Sequence, residues 1–347
     1  MNLLSGGDGN FFGLDIGSSA IRVVQLKGTQ NPKELDKYGQ LAATGNMTLS
    51  DSKEDQARVT QTVREVVKKS GIASKNVVAN LPSNRVFTTV IDMDRMAPEQ
   101  LAQTINYQAD SIIPTPLEQS KIDWAIIGNS PKDPKKVEVL LSSVANSFIE
   151  ARLDMLEAAG LNVIAFEPDS LALMRAVIPP DTHTPQLILD VGSVATDLVV
   201  AMGGAPRLTR AIPIGASTLI RAASQNLNIE PAQAQQFVAK FGVSRDKLEG
   251  KIYNAIIATV DNLMAEIEKS IKFFQSRYPN TKLERIIVTG GASSLPEFPL
   301  YIANRFGINV EIGNAWRNVS FSGSRQNELL SVSNHFAVAA GLAERTT

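Results

Sequence analysis

The chain has 347 residues, 44% hydrophobic and 20% charged, with a formal net charge of −1 and no cysteine. That length supports two domains with their own cores, and that composition excludes wholesale disorder. A near-neutral balance without a basic block argues against electrostatic nucleic-acid binding, and the missing thiols exclude disulfides and thiolate metal sites.

No stretch combines a charged start with an apolar leader, and no apolar run is long enough to span a bilayer. The expectation is therefore a soluble cytoplasmic protein. The two histidines, His183 and His335, stand far apart among polar residues and read as surface groups.

Residues 1–10 are Gly-rich and read as a mobile leader. Phe11, Phe12, Leu14 and Ile16, then Gly17-Ser18-Ser19, then Ile21, Val23, Val24 and Leu26 spell strand, tight turn, strand. Asp15 falls just before the tip. Glycine there lets backbone approach a bound group, and successive turn N–H groups make a cradle for anions. A carboxylate cannot hold a phosphate, but it can hold a Mg²⁺ that does, through waters. Taken alone, Asp-x-Gly at a hairpin is more often a plain turn.

Residues 31–52 read as a further strand and loop. Val59, Val63, Val66 and Val67 predict a helix over 55–70, ended by Gly71. Residues 77–81 read as a buried strand stopped by Pro82. The rhythm then breaks. A strand over 85–93, a helix over 98–113, strands over 122–127 and 137–145 and a charged turn at 132–136 predict a small inserted α+β unit. A helix over 147–159, a strand over 163–166 and a helix over 168–177 follow, proline being tolerated in a first turn. Glu167 and Asp169 bracket Pro168. Carboxylates suit a helix start through its dipole, but this pair also suits a base or water-orienting role at a phosphate, or support of a Mg²⁺.

The Pro-rich loop over 179–185 reads as the junction to a second half. Beyond it, Leu189-Asp190-Val191-Gly192-Ser193-Val194-Ala195-Thr196 repeats Leu, Asp, apolar, Gly, Ser, any, Ala. Two matching hairpins far apart predict two related halves serving one nucleotide. A strand over 207–214 and a helix over 216–226 flank the Pro213–Ser217 turn. Arg210 and Gly215 there suit a phosphate, or simply a helix entry capped near Ser217. Residues 230–240 and 246–278 read as helices, the second with an apolar stripe best taken as core. A strand over 283–288 runs into Thr289-Gly290-Gly291-Ala292-Ser293-Ser294. Adjacent glycines let a purine lie on bare backbone, and the helix over 296–305 presents its N-terminus to phosphate; the plain alternative is a tight turn. A strand over 308–312, a loop over 313–325 and one helix over 328–342 complete the chain. Walker loops, Gly-x-Ser-x-Gly elbows and His-Glu-x-x-His helices are absent.

Taken in order, residues 13–19, 167–173, 188–196 and 288–295, with Ala339-Ala340-Gly341-Leu342-Ala343, resemble the phosphate, connecting and adenosine motifs of the actin-like ATPase superfamily. Actin, the heat-shock chaperone ATPase domain, sugar kinases and the cell-division protein FtsA share them. Within it the chain most resembles the PilM family of type IV pilus assembly proteins. Residues 13–19, Glu167-x-Asp169-x-Leu171-Ala172-Leu173-x-Arg175-Ala176 and Arg210-x-Ile212-Pro213-Ile214-Gly215 carry this. So do residues 85–96, Ile113-Pro114-x-Pro116 and the run to Asp123-Trp124 in the inserted unit, a stretch generic ATPases lack.

The resemblance implies an α/β actin-like ATPase fold, two duplicated halves around a nucleotide cleft. Residues 1–185 with 326–347 would form the first half, with an insert over about 83–163; residues 186–325 would form the second, with a helical part over about 228–282. It implies a cytoplasmic scaffold of the pilus inner-membrane platform, tied to twitching motility. That scaffold holds the N-terminal cytoplasmic tail of PilN in a groove between the first and inserted subdomains. Other platform proteins and motor ATPases are further partners, nucleic acid is none, self-association is left open, and membrane contact comes only through partners. The ligand would be ATP with Mg²⁺, hydrolysed slowly if at all. Asp15 and Asp190 would hold the metal. Gly17, Ser18, Ser19, Gly192, Ser193, Thr196 and Gly215 would meet phosphates. Gln236, Lys240, Gly290, Gly291 and Ala292 would line the adenosine, and Glu167 or Asp169 would place the attacking water.

Three features depart from the pattern or extend it. Ala216 stands where the family usually has a second glycine, and Gln233, Gln236 and Lys240 stand where relatives often show a Glu and a Lys facing the nucleotide. The sequence stops at Arg345-Thr346-Thr347 without an FtsA-like amphipathic helix. Asn2-Leu3-Leu4 resembles the core of the PilN tail, so the leader either occupies the groove or matches by chance. A sugar-kinase-like phosphotransferase and an FtsA-like filament protein are the alternatives.

Overall fold

In the computed structural model, which describes residues 10–29, 31–45 and 47–346, the first apolar runs pair as a hairpin. The leader with Asn2-Leu3-Leu4 lies outside the described residues. In chain order the first elements are β1 (Phe11–Ile16), β2 (Ala20–Lys27), β3 (Glu34–Ala42), α1 (Lys53–Lys69) and β4 (Asn76–Leu81). Next come β5 (Val86–Asp94), α2 (Pro98–Ile112), β6 (Ser120–Asn129), β7 (Lys136–Ala145), α3 (Asn146–Ala158), β8 (Asn162–Pro168) and α4 (Asp169–Val177).

One sheet has the order β3-β2-β1-β4-β8. Its β1–β2 and β2–β3 pairs are antiparallel, and its β1–β4 and β4–β8 pairs are parallel. Ser52 starts α1 by accepting the Asp55 N–H on its hydroxyl, and the valine stripe of α1 then faces inward. Val59, Val63 and Val66 join Ile149, Met155 and Leu156 of α3 and Phe12, Leu14 and Val77 of the sheet in one core. Each fully buried aliphatic or aromatic side chain there contributes about 1.5–3 kcal/mol. The segment between β4 and β8 builds its own antiparallel sheet, β5-β7-β6. Leu101, Ile105 and Ala109 of α2 cover it through Val137, Val139 and Leu141.

The remaining elements are β9 (Gln186–Val191), β10 (Thr196–Met202), β11 (Ala205–Ile212), α5 (Ala216–Leu227), α6 (Pro231–Phe241) and α7 (Lys251–Arg277). After them come β12 (Arg285–Thr289), α8 (Phe298–Phe306), β13 (Asn309–Ile312), α9 (Gln326–Val332) and α10 (Ala337–Ala343). Their sheet has the order β11-β10-β9-β12-β13, with β9–β10 antiparallel and β9–β12 and β12–β13 parallel. This is the strand order of the first sheet over again. The duplication read from two short motifs therefore extends through five strands on each side.

The chain separates into two compact units, Met1–Ala172 with Ala205–Thr209 and Val338–Thr347, and Leu173–Gly204 with Arg210–Ala337. In the first, Arg207 donates to Glu138 Oε2 at 2.6 Å and to the Ile127 carbonyl at 2.7 Å. Among the described residues, no helix is long and apolar enough to cross a membrane.

Three elements differ from the sequence expectation. Pro168 ends β8 and α4 begins at Asp169. The long helix starts at Lys251, because Leu248, Glu249 and Gly250 take left-handed dihedrals, φ 48, 54 and 71°. The closing helix is divided by a short turn over Ser333–His335, whose backbone bonds elsewhere.

Candidate functional site

The two hairpins close alike. The Gly17 N–H donates to the Ala20 carbonyl at 3.1 Å, and the Gly192 N–H donates to the Ala195 carbonyl at 3.0 Å. Each leaves an acid one strand residue or so before its tip. What surrounds that acid differs between the copies.

In the first unit, Asp15 stands opposite Arg22 across the ladder, and Arg22 Nη1 lies 3.3 Å from Asp15 Oδ2. Burial raises the Asp15 carboxyl above its ordinary pKa, and the Arg22 charge offsets only part of that. Asn80, at the end of β4, accepts the Ile16 N–H at 2.8 Å and donates to Asp169 Oδ1 at 3.0 Å. It thus ties the base of the first hairpin to the start of α4. Glu167 is 1% exposed and accepts from Arg345 Nη1 at 2.8 Å. So the two acids around Pro168 are held by different partners. Gly17 and Ser18 are half-buried at the turn, and Ser19 is exposed.

In the second unit, Asp190 stands opposite Asp197, so two carboxylates share one face of the β9–β10 ladder. Gly192 and Ser193 are bound to the entry of α5. The Ala216 N–H donates to the Gly192 carbonyl at 3.0 Å, and the Ser217 N–H to the Ser193 carbonyl at 2.8 Å. Gly215 permits this approach: a Cβ there would lie 2.6 Å from the Ser193 carbonyl oxygen. Thr196 is fully buried and its hydroxyl donates to the Ile214 carbonyl at 2.7 Å, bracing the same junction. Arg210 binds Glu266 and Ser270 on α7.

The glycine pair follows β12, with Thr289 in register with Asp190. Gly290 lies against that acid, since an added Cβ would be 2.4 Å from Asp190 Oδ1. The Asn334 carbonyl accepts the Gly290 N–H at 2.8 Å and the Thr289 hydroxyl at 2.9 Å. Its amide donates to the Gly290 carbonyl at 3.1 Å and to Ser293 Oγ at 2.8 Å. These bonds explain the division of the closing helix. His335, expected at the surface, is half-buried, its ring 3.5 Å from where a Gly291 Cβ would stand. Ala292 is buried in the turn after the pair. The second unit therefore brings together Asp190, Gly192, Ser193, Thr196, Gly215 and Gly290. It leaves Gln236 and Lys240 on the exposed face of α6, where among the described residues neither hydrogen-bonds to these loops.

Asn80, Asp197 and Asn334 were not singled out from the sequence. Asn80 and Asp197 were within reach, one closing a buried strand and the other lying at a fixed offset from Asp190. Asn334 carries no such signal.

Among the described residues, no three His, Asp or Glu side chains form a metal cage. Mg²⁺ asks for less, taking one or two carboxylates and completing its shell with waters and phosphate oxygens. In the second unit, the facing pair Asp190 and Asp197 has the oxygen-donor chemistry such an ion takes.

Two sheets of one topology, each led by an Asp-x-Gly hairpin, define the actin-like ATPase fold. A chain of a PilM–PilN type IV pilus biogenesis complex superposes with TM-score 0.83 at 23% identity, over 97% of this chain and 98% of that one. The ethanolamine utilization protein EutJ from Carboxydothermus hydrogenoformans gives 0.59 at 15% identity, over 98% and 91%. MreB5 of Spiroplasma citri bound to ADP gives 0.58 at 10% identity, over 96% and 95%. Residues 13–347 match the family of type IV pilus assembly protein PilM, and the chain belongs to that family.

Proposed function

We propose that this chain is a nucleotide-dependent scaffold of pilus assembly that takes ATP with Mg²⁺ and holds the N-terminal cytoplasmic tail of PilN. The observation that carries the nucleotide reading is the repeated hairpin, the same turn closure and strand order in both units. Asp15 and Asp190 hold the ion through waters, with Asp197 adding negative potential. When bound, the ion neutralises phosphate charge. Gly17, Ser18, Ser19, Gly192, Ser193 and Gly215 offer turn N–H and hydroxyl donors to phosphates, and Thr196 braces its turn. Gly290, Gly291 and Ala292 receive the adenosine, with Gln236 and Lys240 contributing from α6. Asp169, linked by Asn80 to the first hairpin, or Glu167 orients water, and hydrolysis is slow.

The tail groove belongs to the first unit, between its five-stranded sheet with α1 and α3 and the inserted sheet β5-β7-β6. The protein works at the cytoplasmic face of the membrane through this partner. A nucleotide then acts as a ligand that favours the binding-competent arrangement.

The test is a titration of a synthetic PilN-tail peptide into the full chain, with and without ATP and Mg²⁺. Tighter binding with nucleotide supports the coupled reading. Equal affinity removes the coupling, and absence of binding in both removes the partner.

A further inference from the structure

Arg152 is a buried cation of the first unit. It projects from α3, and only 8% of its surface reaches solvent. Arginine is almost never that buried without a partner. Yet among the described residues its guanidinium makes no hydrogen bond and no ion pair. Its defined contact is the ring of Phe148, 5.2 Å away, and Arg85 lies 5.3 Å from the same ring. Two guanidiniums share one ring, and one of them has its carboxylate, Asp51 at 3.1 Å from Arg85.

The acids whose charge reaches Arg152 are Asp169, Asp51 and Asp15. Each is engaged by another group, Asp169 by Asn80, Asp51 by Arg85 and Asp15 by Arg22. Burial pulls the Arg152 pKa down to about 10, which leaves it a cation at neutral pH. Of these acids, Asp15 lies near the carboxyl end of β1 and Asp169 just past that of β8, and Asn80, bonded to Asp169, lies near that of β4. That end of an open α/β sheet is where ligands bind.

We infer that Arg152 is an anion-receiving side chain of the first unit, and that its anion is a phosphoryl group of the bound nucleotide. This rests on the nucleotide reading above and adds to it a residue that senses phosphate. A guanidinium presents its donors in a fixed fork that matches phosphate oxygens. A carboxylate from a peptide would have to enter beside Asp15, Asp51 and Asp169 uncompensated. A phosphate that carries Mg²⁺ brings those acids a cation of their own.

The experiment is calorimetric binding of ATP with Mg²⁺, and of adenosine, to the full chain and to Arg152→Gln and Arg152→Lys. Arg152→Gln should weaken ATP by about tenfold or more, the loss of a charge-assisted hydrogen bond, and leave adenosine unchanged. Arg152→Lys should recover part of the loss. Without nucleotide, Arg152→Gln should melt no lower than wild type, because an uncompensated buried charge has gone. If wild type binds no ATP, the nucleotide reading falls and this inference with it. If wild type binds ATP and Arg152→Gln binds it equally well, the inference alone is overturned. Loss of PilN-tail peptide binding with ATP affinity intact overturns it in favour of a peptide carboxylate. A glutamine variant that fails to fold also overturns it, marking Arg152 as structural.

Discussion

Gly290 is the position where backbone conformation and the candidate site meet, and Gly290→Ala tests that meeting. Its dihedrals, φ 82° and ψ 172°, belong to a region essentially reserved for glycine, worth about 1–3 kcal/mol of strain for any other residue. The added methyl would also lie 2.4 Å from Asp190 Oδ1 and 2.6 Å from the Val191 carbonyl oxygen. Relieving that overlap moves the acid or the turn and adds about 1–3 kcal/mol, as overpacking does. The two effects together come to about 2–6 kcal/mol. Gly307→Ala is the control. Gly307 is left-handed, φ 65°, but nothing stands within 4 Å of its added Cβ, so about 1–2 kcal/mol of conformational cost remains. Urea unfolding followed by fluorescence of Trp316, buried in the second unit, reads both variants. A Trp124→Phe background isolates that signal. If Gly290→Ala is no more destabilising than Gly307→Ala, the packing of the glycine turn on Asp190 is wrong.

Glu138→Gln should destabilise the first unit by about 3–5 kcal/mol, because Arg207 then keeps a buried charge without its carboxylate. Adding Arg207→Met should recover much of that in the same unfolding assay, and a single-variant cost near zero contradicts the burial. Asn80→Ala removes two buried hydrogen bonds, to Ile16 and Asp169, and should cost about 2–4 kcal/mol. A variant as stable as wild type would show that neither bond holds. Asp15→Asn tests the raised carboxyl pKa. A raised folded pKa gives stability that is complete below the unfolded value and lost as pH rises through the folded one. Asparagine keeps the neutral form, so the variant should be more stable than wild type at pH 7. That advantage should fade as pH falls toward 3.8, the ordinary Asp value. Lower stability of the variant at pH 7 would mean that the Arg22 pair outweighs burial.

The parts legible from sequence were those fixed by local patterns. Alternating apolar residues and the Gly-Ser turns gave both hairpins. The valine spacing gave α1, and the strands flanking α2 revealed the inserted sheet. What escaped was set by contacts distant in sequence. One closing helix was expected because its apolar residues keep helical spacing. The Asn334 carbonyl instead serves Gly290 and Thr289, some forty residues earlier, and that breaks the helix. The start of α7 was misplaced because Leu248 and Glu249 adopt left-handed dihedrals that neither side chain favours. At the site, Asp15, Asp190 and Gly290 were visible as motifs. Arg152 was not, since a lone arginine within a helix reads as a solvated charge until its burial is seen.

The account depends most on nucleotide binding through the paired acids. Calorimetric titration of ATP with Mg²⁺ into the full chain and into Asp190→Ala tests this directly. Saturable binding by the wild type, lost in the variant while its fold is kept, is the predicted result. No heat of binding in the wild type, or equal affinity in the variant, would contradict it.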